Sequence, residues 1–299
     1  MAANHSSNAA HVQSLVGELL GEPSYKPSSR LVGLNGRLWT QFPHCRQQTT
    51  WDCGVACTQM VLRWLQPSRY PRIDDSIPLS CDEMSERKWI VDACESQSIW
   101  TVDIVIILQR LFDGELKQSF DFPLSSNRRD DDDDAWDAAR YLYLSKRFGV
   151  DERYKSYGYY QDAFERDESR VMKRFVLAEE LNLPMCQAQI GLDLLVDVIS
   201  RDQCIAMVLL DNAVLKRSGG DYAGHYVLLV GISTNAEDIE QAESHCGQEE
   251  GPAPTSYCLI TKNPNWPGSI SFLTPSLFEK AWRADGTDDD VILIAKGKQ

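Results

Sequence analysis

Apolar side chains recur every three or four residues in the stretch that follows residue 52. The larger ones are Cys57, Met60, Val61, Trp64 and Leu65. This spacing predicts a helix over residues 53–65 with one buried face, because the α-helix repeats every 3.6 residues. Asp52 suits the N-cap of that helix, and Pro67 lies just beyond its expected end.

Three further stretches in the first half of the chain also fit helices. Residues 100–112 carry apolar side chains at helical spacing, and Ser98 suits the N-cap position before them. Residues 135–148 fit a second helix, and residues 161–181 fit a longer third one.

The second half of the chain alternates between strand-like and helix-like segments. Strands are predicted at residues 185–190, 204–210, 225–232, 257–261 and 291–295. Short helices are predicted at residues 192–199 and 276–282. A helical first half followed by neighbouring strands favours an α+β fold, in which the helices pack on an antiparallel sheet.

The polar stretches suggest where the domain begins and where it is interrupted. Residues 1–36 are rich in Ser, Asn, Gly and Pro and are predicted to be a flexible tail with a short helix at residues 12–20. Residues 37–299 are predicted to form a single domain. Loop insertions are expected near residues 66–97, 113–137 and 235–255. The second insertion contains five consecutive aspartates at 130–134, a charge run that is typical of a solvated loop.

Charge and cysteine content exclude several classes of function. The formal net charge is −14, so the surface repels nucleic acids and anionic membranes. No apolar run is long enough to span a membrane, and the N-terminal residues do not resemble a secretory signal. The nine cysteines include no CxxC pair, which argues against a zinc cluster or a disulfide framework. We therefore expect a reduced protein of the cytoplasm, with the nucleus as a second compartment.

Cys53 is the first candidate for chemistry, because it lies between Asp52 and Gly54 at the expected helix start. The N–H groups and the dipole at that end of a helix favour a thiolate, which is the nucleophilic form of cysteine. Gln47, six residues upstream, carries an amide donor that suits an oxyanion hole. The alternative is that Cys53 is an ordinary buried cysteine without a catalytic role.

His225 and Asn263 complete the candidate site. His225 begins one predicted strand, and Asn263 follows the next one. Adjacent antiparallel strands would bring the two side chains together, and the Asn263 carboxamide would orient the imidazole toward Cys53. The chain order Cys, His, Asn is that of papain-like cysteine proteases. A histidine with a purely structural role in a strand is the alternative.

The segments around these residues resemble two known families. Residues 47–57, 224–226 and 263–264 resemble the cysteine peptidase domains that cleave double-glycine leader peptides in bacteriocin exporters, although that group usually has Asp where this chain has Asn263. The blocks at residues 98–103, 157–171 and 286–290 extend the resemblance to the plant guanylyl cyclase, or guanylyl cyclase domain-containing, family. The resemblance covers most of residues 47–295. It implies a papain-like fold and carries the activity in the family's name.

Three functions stay open at this point. The first is a cysteine hydrolase that acts on peptide, isopeptide, amide or thioester bonds of a peptide or protein substrate and needs no cofactor. The second is a guanylyl cyclase that converts GTP to cyclic GMP with Mg²⁺ or Mn²⁺. A short stretch at residues 156–158, with Arg166 and Arg170 after it, offers the nucleotide contacts for that reaction. The third is a binding module without turnover.

Overall fold

The computed structural model describes residues 2–27, 42–66, 81–113, 139–150, 164–201, 203–217, 220–246, 255–266 and 270–297. Its helices are α1 (Ala2–Leu20), α2 (Cys53–Leu65), α3 (Cys81–Cys94), α4 (Thr101–Phe112), α5 (Phe164–Glu180), α6 (Leu192–Ile199), α7 (Asn212–Lys216), α8 (Ala236–Cys246) and α9 (Pro275–Trp282). Its strands are β1 (Arg140–Ser145), β2 (Met185–Gln187), β3 (Cys204–Asp211), β4 (Gly224–Ser233), β5 (Cys258–Lys262), β6 (Ser271–Leu273) and β7 (Val291–Ala295). The predicted α+β class is confirmed.

The described strands form one seven-stranded sheet in the order β2-β1-β7-β3-β4-β5-β6. Every neighbouring pair is antiparallel except β1 and β2, which run parallel with Tyr143 opposite Met185. The prediction of a wholly antiparallel sheet is therefore wrong at this edge, because α5 carries the chain across between β1 and β2 and returns it in the same direction.

A separate hydrophobic layer covers each face of the sheet. Along β4, Tyr226 and Leu228 face the layer that contains α2, α4 and α5, whereas Val227 and Leu229 face the layer that contains α1, α6 and α9. The alternation follows from the period of two in a β-strand. Burial on both faces explains why β3, β4 and β7 are apolar along almost their whole length.

Two predictions from the sequence are wrong in the first half of the chain. Residues 140–145 form β1 instead of part of a helix, because four consecutive residues beginning at Tyr141 are buried between the two layers. Such a short apolar run fits either element. The tail interpretation also fails, since α1 buries Val12, Val16 and Leu19, and the Tyr25 hydroxyl donates to Asp197 at 2.5 Å. Residues 28–36 lie outside the described part of the chain.

The predicted loop insertions contain helices where the structure describes them. Helix α3 lies within the first insertion and α8 within the third. Residues 114–137, with the aspartate run, lie outside the described residues. No helix in the described part of the chain combines the length and apolarity that a bilayer span requires.

Candidate active site

The loop before α2 is organised around the buried carboxylate of Asp52. Its two oxygens accept hydrogen bonds from the backbone N–H groups of Gln48 and Thr49, at 3.2 Å and 3.1 Å. Arg87, from α3, forms an ion pair with the same carboxylate. Asp52 occupies the N-cap position as predicted, but its side chain makes no capping hydrogen bond. It therefore folds the loop back on itself and fixes the entry to α2.

Cys53 begins α2 and is 6% exposed. Burial raises the pKa of its thiol, whereas hydrogen bonding with the backbone of Tyr226, Gly54 and Cys53 itself lowers the pKa by a smaller amount. The resting protein therefore holds Cys53 as a thiol at neutral pH. The predicted thiolate is wrong for this state, because the favourable donors at the helix start do not outweigh the loss of water.

His225 and Asn263 meet as the sequence predicted. The His225 Nε2 atom lies 2.8 Å from the Asn263 Oδ1 atom, and both side chains are buried. The Asn265 backbone N–H donates to the same oxygen at 2.9 Å, which identifies that atom as the carbonyl oxygen of the carboxamide. Because an acceptor faces Nε2, the neutral ring carries its proton there and leaves the Nδ1 lone pair free to accept another.

Burial also sets the charge of this imidazole. It lowers the pKa of His225 to about 4, with the Asn263 hydrogen bond acting in the opposite direction. The ring is therefore neutral at physiological pH, which is the form that a general base requires.

The Cys53 sulfur and the His225 ring lie next to the same backbone segment without a hydrogen bond between them. Hydrogen bonding with the backbone of Tyr226, the residue after His225, lowers the pKa of the Cys53 thiol, and the Cys57 thiol donates to the Tyr226 carbonyl at 3.4 Å. Strand alternation directs Tyr226 to the α2 side and His225 to the opposite side. The His225–Asn263 half of the site is thus assembled, and direct contact of the imidazole with the sulfur stays a prediction.

Gln47 lies beside the same turn. Its backbone N–H donates to the Pro264 carbonyl at 3.0 Å, so the loop that carries Gln47 is tied to the residue after Asn263. The Gln47 side-chain amide donates to the Thr49 carbonyl at 2.8 Å, which engages one of its two N–H donors. Its role in an oxyanion hole stays a prediction.

A narrow cleft opens beside Cys53. It holds about 40 Å³, enough for about three water molecules. Its walls come from the α2 start, the 98–102 segment, β1, β4 and the loop before β7. The lining residues near Cys53 are Trp51, Ile99, Trp100, Gly224 and Tyr226. A purine nucleotide needs a site of several hundred Å³, so it would fit only after this cleft widened.

The far end of the cleft carries polar residues that the sequence analysis did not identify as a site. Asp290 accepts hydrogen bonds there from the hydroxyls of Thr101 and Tyr143. Asp290 belongs to the block at residues 286–290, which the sequence singled out only because it resembles a known family. A carboxylate that follows two others and precedes an apolar strand is the only sequence signal, and it does not distinguish a cleft residue from a solvated one.

The backbone around Asp290 is strained. Asp288 and Asp289 have φ angles of 48° and 56°, in the left-handed region, and Gly286 has a φ of 104°. The Asp289 carboxylate accepts from Arg283 at 2.8 Å and from Gln189 at 2.7 Å. Strain of this kind costs on the order of 1 kcal/mol for each residue and persists only where surrounding contacts impose it.

Gly286→Ala is expected to destabilise the protein by about 2 kcal/mol. The added methyl group would lie 2.9 Å from the Tyr222 ring at a φ that favours glycine. Urea unfolding followed by tryptophan fluorescence measures the change. Gly21→Ala is the matched control, because Gly21 also has a positive φ, of 65°, but a methyl group there contacts nothing. If both variants lost the same free energy of unfolding, the contact with Tyr222 would contribute nothing to the destabilisation of Gly286→Ala.

Of the two arginines proposed for nucleotide contacts, the side chain of Arg166 lies outside the described part of the structure, and Arg170 has a structural role. Arg170 donates to the Asp103 carboxylate at 2.7 Å and to the carbonyls of Cys94 and Ser98 at 3.1 Å and 2.8 Å. These bonds hold the segment that carries Ile99 and Trp100 into the cleft. Residues 156–158 lie outside the described residues. Within the described part of the chain, no group of three or more His, Cys, Asp or Glu side chains is arranged to hold a metal ion.

Comparison with known proteins identifies a family to which this chain is similar over most of its length. The family model described as "Guanylylate cyclase" matches residues 42–120 and 136–294. The chain is also similar to "Guanylyl cyclase 1" of Arabidopsis thaliana, with 22% identity over 278 residues, which cover 89% of this chain and 79% of the relative. No solved structure matches the chain.

Proposed function

The chain belongs to the guanylylate cyclase family, and we propose that it is a thiol-dependent acyl hydrolase with a papain-like arrangement of Cys53, His225 and Asn263. The observation that carries the proposal is the 2.8 Å hydrogen bond between His225 and Asn263. His225 precedes Tyr226, whose backbone hydrogen bonding lowers the pKa of the Cys53 thiol. The nucleophile, the neutral base and the orienting amide come from three elements, namely the start of α2, the start of β4 and the residue after β5.

The proposed reaction starts from a neutral pair of side chains. When a substrate carbonyl enters, the Cys53 thiol gives its proton to His225 Nδ1 and the sulfur attacks the carbonyl carbon. Strand alternation directs the His225 side chain away from the α2 side in the resting state, so this step requires the ring to turn toward the Cys53 sulfur when the substrate binds. The Asn263 carboxamide accepts from Nε2 throughout and keeps the ring in the required tautomer.

The tetrahedral intermediate develops charge on the carbonyl oxygen. The Cys53 N–H and the Gln47 amide are the proposed donors to this oxyanion. One such donor typically lowers the activation barrier by about 3 kcal/mol. The imidazolium then protonates the leaving amine or thiol, and water hydrolyses the thioester formed on Cys53 with His225 as base. The proposed substrates are peptide, isopeptide or thioester bonds, in a reducing compartment where the thiol persists.

Acyl transfer to the protein tests this proposal. The native protein is incubated with a peptide thioester, quenched in acid and mapped by mass spectrometry. We expect the acyl group on Cys53 in the wild type and in Cys57→Ala, and none at that site in Cys53→Ala. Cys57 is a suitable control because it lies one turn along the same helix and also contacts Tyr226. Acyl groups spread over several cysteines, or none at all, would contradict the proposal.

Cyclization of GTP is the second candidate, and the name of the Arabidopsis relative is the observation that favours it. The test is cyclic GMP formation from GTP with Mg²⁺ or Mn²⁺, measured by mass spectrometry in the wild type and in Cys53→Ala. Product that forms equally in both would favour the cyclase over the hydrolase. If neither cyclic GMP nor an acyl-protein forms, the remaining interpretation is a binding module.

A further inference from the structure

A chain of hydrogen-bonded hydroxyls connects Asp290 with Tyr226, which packs against the first turns of α2 beside Cys53. The Thr101 hydroxyl donates to the Asp290 carboxyl and lies 2.8 Å from the Tyr226 hydroxyl. Because Thr101 has one proton and gives it to Asp290, the Tyr226 hydroxyl must donate to Thr101. Tyr226 in turn accepts from the Cys57 thiol through its carbonyl at 3.4 Å, and hydrogen bonding with its backbone lowers the pKa of the Cys53 thiol.

The ring of Tyr226 is buried and packs against the start of α2. A methyl group placed on Gly54, the residue after Cys53, would lie 3.2 Å from that ring. The ring is therefore packed directly against the first turn of α2, and its hydroxyl is directed to the far end of the cleft. Tyr226 thus contacts α2 through its backbone and its ring.

We propose that Asp290 is a positioning residue that acts on Cys53 through Thr101 and Tyr226. The carboxyl holds the Thr101 hydroxyl, Thr101 holds the Tyr226 hydroxyl, and Tyr226 then keeps its backbone in place beside the sulfur. The strained turn before β7 has a function on this view, because it brings the Asp290 carboxyl to the cleft. The inference rests on the proposed role of Cys53 as the nucleophile.

The protonation state of Asp290 provides a way to observe this coupling. The pKa of Asp290 is raised to about 7, chiefly by burial and also by the neighbouring Asp288, while hydroxyl donors that include Thr101 and Tyr143 act in the opposite direction. Above that pH the ionised carboxylate accepts from both Thr101 and Tyr143. Below it the protonated group must donate one bond itself, which disrupts the hydroxyl chain. The titratable or charged groups that surround it are Cys53, Tyr143, Arg147, Tyr226 and Asp288.

Alkylation of Cys53 by iodoacetamide, followed site by site by mass spectrometry from pH 5.5 to 9, tests the coupling without any substrate. In the wild type we expect a rate that rises with the thiolate fraction and shows an additional upward break near pH 7. In Tyr226→Phe and Thr101→Val we expect a rate about fivefold to tenfold lower at pH 8, a typical effect of losing one buried hydrogen bond, and no break. Asp290→Asn should also remove the break.

Tyr143→Phe is the matched control. It removes a hydroxyl that donates to the same carboxyl at 2.9 Å but does not lead to Tyr226. We expect an alkylation rate within about twofold of the wild type at pH 8, because the hydrogen bonds from Asp290 through Thr101 to Tyr226 are left intact. The break should persist and move to higher pH, since one donor that lowers the pKa of Asp290 is lost.

The outcomes separate the possibilities. Wild-type rates and an unchanged break in Tyr226→Phe and Thr101→Val would overturn the proposal, and so would an equal loss in Tyr143→Phe. Thermal unfolding of each variant identifies any that fail to fold, and the two Tyr→Phe variants are then compared at a temperature where both are folded. The expected alkylation pattern in a protein that forms no acyl-Cys53 would uphold the coupling and reject the hydrolase.

Discussion

Cys53→Ala is expected to lower hydrolysis of any acyl substrate of this protein by at least about 10³-fold, because the covalent route through the sulfur is lost. This corresponds to about 4 kcal/mol of transition-state stabilisation. Since an alanine fits the buried position at the start of α2, the fold should be retained. The measurement is kcat/KM for the wild type and the variant on the thioester that acylates the protein.

Two companion variants determine whether the sulfur acts with His225. His225→Ala should cost nearly as much as Cys53→Ala, and the double variant should cost little more than either, because residues that act as a unit are not additive. Asn263→Ala should cost about 10-fold to 100-fold, since it removes the orienting bond and leaves the base in place. Full additivity of Cys53 and His225 would show that the imidazole does not serve the sulfur.

The pH dependence of kcat/KM follows from the protonation state of His225 in the free protein. The pKa of His225 is lowered to about 4, so the base is neutral above that pH and protonated below it. Activity should therefore be lost as pH falls through about 4. An Asn263→Ala variant should lose activity at a still lower pH, because the hydrogen bond that the ring donates to Asn263 raises the pKa of His225.

The sequence predicts the contact between His225 and Asn263 because its signals are local. Cys53 at a helix start, His225 at a strand start and Asn263 before a proline are each visible within a few residues, and the structure confirms the elements that carry them. The order of the strands then places His225 next to Asn263. The charge state of Cys53 was predicted wrongly because it depends on burial by distant segments, which no local pattern reports.

The polar network at the far end of the cleft could not be predicted for a related reason. Thr101, Tyr143, Tyr226 and Asp290 come from four separate elements and meet only in the folded chain. Each one alone is an ordinary residue of a helix start or a strand. The same holds for Asp52, whose N-cap position was visible but whose partner Arg87 lies 35 positions later, in a segment predicted to be a loop.

Arg87→Met is expected to destabilise the protein by about 3–5 kcal/mol, because it leaves the Asp52 carboxylate buried without its cation. The loop that carries Gln47 depends on that carboxylate, which accepts from two of the loop's backbone N–H groups. Urea unfolding gives the free-energy change, and kcat/KM under folding conditions shows whether the loop also shifts.

A second substitution and a control isolate the cause. The double variant Arg87→Met, Asp52→Asn should be more stable than Arg87→Met alone, since the buried charge is removed while one oxygen still accepts from the loop. Lys88→Met serves as control on the same helix, because Lys88 pairs with Asp92 at the surface, where both side chains are more than half exposed. Such a pair contributes about 0.5 kcal/mol or less. If Arg87→Met and Lys88→Met cost the same, the buried pair would not anchor the loop, and the position of Gln47 would depend on its bond to Pro264 instead.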